Sequence, residues 1–132
     1  MKTYSTDKIR NVALLGHSSC GKTTITESFL FNTKVTNRMG KVEDGNTVSD
    51  FDKEEKERQV SIGTSIIPIE YRENKINFLD SPGYFDFVGE VYGALKVADG
   101  AVLVIDASSG IEVGTEKSWK YLEQRNIPRI IF

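Results

Sequence analysis

Eight residues, Gly16-His17-Ser18-Ser19-Cys20-Gly21-Lys22-Thr23, constrain this chain more than any other segment. Two glycines frame four residues and are followed by a lysine and a hydroxyl, the pattern of a phosphate-binding loop. The glycines let the backbone curl so that successive N–H groups face inward at anion oxygens. A helix starting at Lys22 adds its positive end at the same spot. Lys22 brings a point charge for the β- and γ-phosphates of a nucleoside triphosphate, and the Thr23 hydroxyl is a ligand for magnesium. A random chain of this length carries the pattern by chance only roughly a few times per thousand. The flanks also agree with it. The apolar run Ile9 to Leu15 stops at Gly16 like a strand, and from Lys22 to about Asn32 the spacing turns helical, with Ile25 and Phe29 four apart.

The rest of the chain alternates in the same way. Ile66 to Tyr71 and Ile76 to Asp80 surround the polar turn Arg72-Glu73-Asn74-Lys75, which predicts a β-hairpin. Pro68 cannot donate to a ladder, so its strand belongs at a sheet edge. Val88, Val91, Tyr92, Leu95 and Ala98 fall at helical spacing, and Ala101 to Ile105 is apolar without alternation, as in a strand covered on both faces. Thr115 is placed to cap a further helix carrying Trp119 and Leu122, and Pro128 to Phe132 begins another strand. Strand, helix, hairpin, helix, strand, helix, strand is a three-layer α/β layout with a mainly parallel sheet and one antiparallel edge hairpin. Ligands in such sheets bind beyond the carboxyl ends of the strands, here Gly16, Asp80 and Asp106.

Composition narrows the function classes. A chain of 132 residues is of single-domain length, and 39% hydrophobic with 27% charged residues is ordinary folded usage. A net charge of −2 argues against a domain that holds nucleic acid through bulk positive field, and no direct DNA binding is expected. One cysteine forms no internal disulfide, which fits a reducing compartment. The polar N-terminus, Met1 to Asp7, does not read as a signal peptide, and no apolar run approaches the roughly 20 residues of a membrane span. The expectation is a cytoplasmic protein with no membrane partner.

Residues 34–63 are mostly polar and include the run Lys53-Glu54-Glu55-Lys56-Glu57-Arg58. They read either as a solvated loop with a short charged helix or as a mobile binding loop, since compact domains seldom carry loops this long without function. Asp80 ends the run Ile76 to Leu79 and precedes Ser81-Pro82-Gly83. Beside a phosphate loop, a carboxylate there holds magnesium, usually through water. Gly83, without a side chain, lets its amide approach a γ-phosphate closely.

Taken together, residues 16–24, Glu54 to Ile62 and Asp80-Ser81-Pro82-Gly83 resemble a translational GTPase. The strings Arg38 to Asp52, Asp86-Phe87-Val88-Gly89-Glu90-Val91 and Gly110 to Lys117 are similar to elongation factor G. Val42-Glu43-Asp44-Gly45-Asn46 and Val113-Gly114-Thr115-Glu116-Lys117 point to its elongation factor G-like paralogues. The resemblance runs from about Ile9 to Phe132. It implies a P-loop fold of the small-GTPase kind that binds GTP or GDP with magnesium, hydrolyses GTP and acts on the ribosome. It further implies that residues 1–132 are an incomplete GTP-binding domain with a first switch at 34–63 and a second at 80–98. Nucleotide contacts then fall to Gly16, His17, Ser18, Ser19, Cys20, Gly21, Lys22, Thr23, Thr24, Asp80 and Gly83; magnesium to Thr23, Ser61 and Asp80; catalysis to Lys22 and Tyr84.

Three departures from the family pattern bear on that reading. The family's magnesium threonine stands in Arg-Gly-Ile-Thr-Ile, where this chain has Arg58-Gln59-Val60-Ser61-Ile62. Ser61 keeps the hydroxyl, or alternatively bonds its own loop backbone, while Gln59 replaces a flexible glycine. Where the family positions the attacking water with histidine stands Tyr84, a phenol that does not take up charge near neutral pH as an imidazole does. It either orients water through its hydroxyl or packs beside Phe85 and Phe87. The guanine-reading Asn-Lys-x-Asp string does not occur up to Phe132. The alternatives are a GTP-sensing ribosome-binding module with little hydrolysis, a ribosome-protection factor of the tetracycline-resistance type and, more remotely, a P-loop ATPase or kinase. His17 reads as a spacer and Trp119 as a packing residue. Cys20 reads as a small turn residue, or as a thiol made acidic by Lys22 and the helix start.

Overall fold

The apolar run that stops at Gly16 forms β1, Ile9–Gly16, at the centre of a five-stranded sheet. The computed structural model describes residues 2–132, the side chain of Phe85 excepted; Met1, at the head of the polar N-terminus, lies outside them. The elements that follow are α1, Lys22–Asn32; α2, Lys53–Arg58; β2, Ser65–Tyr71; β3, Asn74–Asp80; α3, Val88–Val97; β4, Gly100–Val104; α4, Val113–Gln124; and β5, Arg129–Ile131. The strand order is β2-β3-β1-β4-β5, with β1 parallel to β3 and β4, β5 parallel to β4, and β2 antiparallel to β3. The parallel core and edge hairpin expected from the sequence are both present, and Pro68 lies on the edge strand.

Because successive side chains of a strand face opposite ways, β1 feeds two cores. Ala13 and Leu15 pack with Val91 and Leu95 of α3 and Leu122 of α4, while Leu14 packs with Leu30 of α1 and Ile67, Phe78 and Val102 of the sheet. Helices on both faces make three layers. Each fully buried leucine contributes about 1.5–3 kcal/mol by leaving water. That term decides whether α1 exists. Its first turn holds the β-branched run Thr23-Thr24-Ile25-Thr26, with each residue roughly 0.5 kcal/mol worse than alanine in a helix. Packing of Leu30, and of Phe29 stacked on Phe78 at 4.5 Å, offsets the deficit.

Two local expectations are corrected. The hairpin turn is two residues, not four: Tyr71 already pairs with Asn74, and Arg72 and Glu73 stand at φ of 45° and 63°. This mirror-image turn matches the twist of the strands. Thr115 does not cap α4. The helix begins earlier, with Glu112 at its cap, and the Thr115 hydroxyl accepts a hydrogen bond from the Glu112 N–H at 3.4 Å. Trp119 packs at the edge of the first core, with the Arg129 guanidinium 4.0 Å above its ring.

Candidate functional site

The phosphate loop leaves the carboxyl end of β1 and re-enters order at Lys22, the first residue of α1. Gly21 caps that helix in the left-handed region, at φ 100°. The Lys22 ammonium folds back over the loop, donating to the carbonyls of His17 at 2.7 Å and Gly16 at 3.4 Å. Thr23 is one residue further into the helix and points across to β3. Its hydroxyl donates to Asp80 Oδ2 at 3.1 Å and lies 3.4 Å from the Ser61 hydroxyl. The ladder fixes this meeting, since Leu14 pairs directly with Asp80.

Asp80 is 1% exposed, and its Oδ1 is buried without a hydrogen-bond partner. Burial pushes its carboxyl up to about 6, against the pull of Lys22 and of the Thr23 and nearby Ser49 hydroxyls; the charge of Asp50 adds to the rise. Asp50 is a residue that sequence reasoning missed. It is buried, its Oδ1 accepts from the Ser61 hydroxyl at 2.7 Å, and burial raises its carboxyl as well. Ser61 thus bonds a carboxylate rather than its own loop backbone.

Gly83 closes the cradle. A Cβ on it would lie 2.6 Å from Lys22 Nζ and 2.7 Å from Ser18 Cα, so only glycine lets the chain pass over the ammonium. Tyr84, 45% exposed, stands at the mouth and is no core aromatic; the Phe85 half of the packing alternative lies outside the described residues. A cleft of about 230 Å³ runs between the phosphate loop and start of α1 (Ser18, Ser19, Gly21, Lys22, Thr23, Thr24), the long loop (Val42, Glu43, Asp50, Gln59, Val60, Ser61) and Gly83 with Tyr84. A second, of about 460 Å³, shares Ser18, Ser19, Gly83 and Tyr84 and adds His17, Cys20, Asp106 and Glu112.

His17 is more than a spacer. Its Nδ1 accepts from the Gly114 N–H at 3.2 Å, so the neutral ring carries its proton on Nε2, which lies 3.5 Å from Glu112. It therefore bridges the phosphate loop to the start of α4. Cys20 is not an activated thiol: it is buried, and burial raises its pKa despite the opposing pull of Lys22.

Among the described residues no three His, Cys, Asp or Glu side chains converge as a metal cluster. The donors are instead two hydroxyls, Thr23 and Ser61, beside two carboxylates, with one buried carboxylate oxygen left over. An all-oxygen set with few protein ligands fits magnesium, which keeps waters and shares its shell with phosphate.

Fold and site together define a P-loop nucleotide-binding domain of the GTPase class. The match to the elongation factor Tu GTP-binding domain family spans residues 7–132, and the chain belongs to that family. It is a GTP-binding domain of the translation-factor type. Elongation factor G of Granulibacter bethesdensis is 40% identical over 132 residues, covering 100% of this chain and 19% of the relative. The mitochondrial ribosome-releasing factor 2 of Pongo abelii is 42% identical over 125 residues, 95% of this chain and 16% of its own length. A protein of known crystal structure from Thermus thermophilus superposes with a TM-score of 0.91 at 43% identity, covering 94% of this chain and 19% of that one. The fold is shared with translation elongation factor SelB of Methanococcus maripaludis, solved with the GTP analogue GppNHp, at a TM-score of 0.68 and 24% identity over 92% of this chain and 21% of that one. The chain thus spans about a fifth of the length of the relatives it matches.

Proposed function

We propose that this chain is part of the GTP-binding domain of an elongation factor G-like protein that hydrolyses GTP on the ribosome, in the cytoplasm. The observation that carries the reading is the meeting of Thr23, Ser61 and Asp80 at the first turn of α1, with one buried Asp80 oxygen unused. Lys22 and the amides of residues 16–24 hold the phosphates. Thr23 and Ser61, with Asp80 through water, would hold magnesium, which would supply charge neutralisation to the phosphates. The Gly83 amide faces the γ-phosphate, and Tyr84 orients water at the mouth of the cleft. Catalysis here is positioning and electrostatics, so one changed group slows the reaction without emptying the site. Guanine preference is supported by the family match, and ribosome binding by the names of the relatives.

The decisive experiment is GTP hydrolysis by the full-length protein, with and without ribosomes, in wild type and Tyr84→His. Ribosome-stimulated turnover by wild type is the expected result, with Tyr84→His faster. A second reading, a GTP sensor with little hydrolysis, is favoured by Tyr84 and by Gln59, which adopts φ 55° where the family has glycine. Wild type that binds GTP but turns over only as Tyr84→His would establish that reading.

A further inference from the structure

Glu27 lies on α1 and is 1% exposed, yet the site described above does not use it. Burying a carboxylate is costly unless its oxygens are satisfied. Backbone amides of the long loop satisfy these: Oε2 accepts from the Gly40 N–H at 2.8 Å and Oε1 from the Val48 N–H at 2.6 Å. The fit is close, since a Cβ on Gly40 would lie 2.6 Å from Glu27 Oε2 and 2.8 Å from the Asn46 carbonyl. Between the two attachment points the loop closes on itself, with the Lys41 N–H donating to Asn46 Oδ1 at 2.7 Å.

Position gives this clip a consequence. Glu27 is four residues after Thr23, so the two share one face of α1, a turn apart. Two residues beyond Val48 comes Asp50, which holds the Ser61 hydroxyl. One helix therefore carries the Thr23 hydroxyl directly and, through Glu27, the base of the arm that brings Asp50 and Ser61 to it.

We infer that Glu27 is a positioning residue for the nucleotide site. It fixes residues 40–48 to α1, so the long loop is a static arm followed by a moving one, and rearrangement begins after Val48. This rests on the reading of Thr23, Ser61 and Asp80 given under the proposed function. Ligands that need Ser61 in place depend on Glu27, whereas ligands held by residues 16–24 alone do not. A GTP analogue belongs to the first class and GDP to the second.

The test uses the full-length protein as wild type, Glu27→Gln and Gly40→Ala. Glu27→Gln turns an N–H₂ towards one of the two amides. Gly40→Ala pushes the loop off an unchanged Glu27 and carries the test alone if Glu27→Gln does not fold. Two quantities are read: amide hydrogen exchange over residues 38–49, and affinity for GDP and for a non-hydrolysable GTP analogue. The expected result is faster exchange together with about a tenfold loss of analogue affinity, the size of one broken hydrogen bond to a buried charge, while GDP affinity is unchanged. Unchanged exchange, or parallel loss of both affinities, would overturn the inference. Wild type that binds neither nucleotide, with exchange still accelerated in the variants, would sink the proposed function and confine Glu27 to holding the loop.

Discussion

Ser61, Asp50 and Glu27 show how much of this site is built from single polar atoms that have to be met. Ser61 lacks the β-methyl that restricts the rotamer of a threonine, and the Asp50 carboxylate at 2.7 Å selects the rotamer in its place. Cys20 gives a direct check at the same scale. With its pKa raised by burial, less thiolate is present at neutral pH than on a free cysteine. Alkylation by iodoacetamide at pH 7.5 is expected to be slower than for glutathione and to speed up as the pH is raised. A rate equal to that of glutathione would mean that Lys22 outweighs burial. The chemistry of Lys22, Thr23 and Asp80 was legible because spacing in and around a phosphate loop carries it. Glu27, Asp50 and the His17 bridge were not. Each looks like a solvated polar residue along the chain and acquires its partner only when residues 11 to 97 positions away fold against it.

At the scale of elements, apolar runs and glycine stops placed β1, α1, β3 and β4 because burial, which dominates their energetics, is written in side-chain type. Turn and cap geometry was less legible. Arg72 and Glu73 carry no glycine or asparagine signal, yet both adopt positive φ because the paired strands leave two residues to close the hairpin. That conformation costs a residue with a Cβ roughly 1 kcal/mol or more, partly offset by the greater chain entropy that glycine loses on folding. Replacing Arg72-Glu73 by Asn-Gly is therefore expected to stabilise the protein by about 1 kcal/mol in urea unfolding. No change would show that the turn is strained elsewhere. Thr115 follows the same logic, since the cap was set upstream at Glu112, beside the place where the Gly114 N–H meets His17.

For the whole molecule, the sheet order places β5 at one edge, with Ile130, Ile131 and Phe132 exposed by 65%, 61% and 71%. An apolar edge strand is a template for pairing with another chain. Residues 1–132 expressed alone are expected to self-associate at micromolar concentration, and Ile130→Lys to shift the population towards monomer in sedimentation velocity. A monomeric wild-type chain would show that this edge is harmless.

The opposite edge carries a different consequence. The loop bearing Ser61 runs within four residues into β2, which has one neighbour and in which Pro68 offers no donor. Mechanically, the loop is stitched to the sheet along its weakest hem. Tension on it unzips the outermost ladder, starting at the Ser65–Asp80 pair, while Leu14 keeps Asp80 laced to β1 on the other side. Along the sheet, the hem peels with β3 still standing between it and the strand that leads into the phosphate loop.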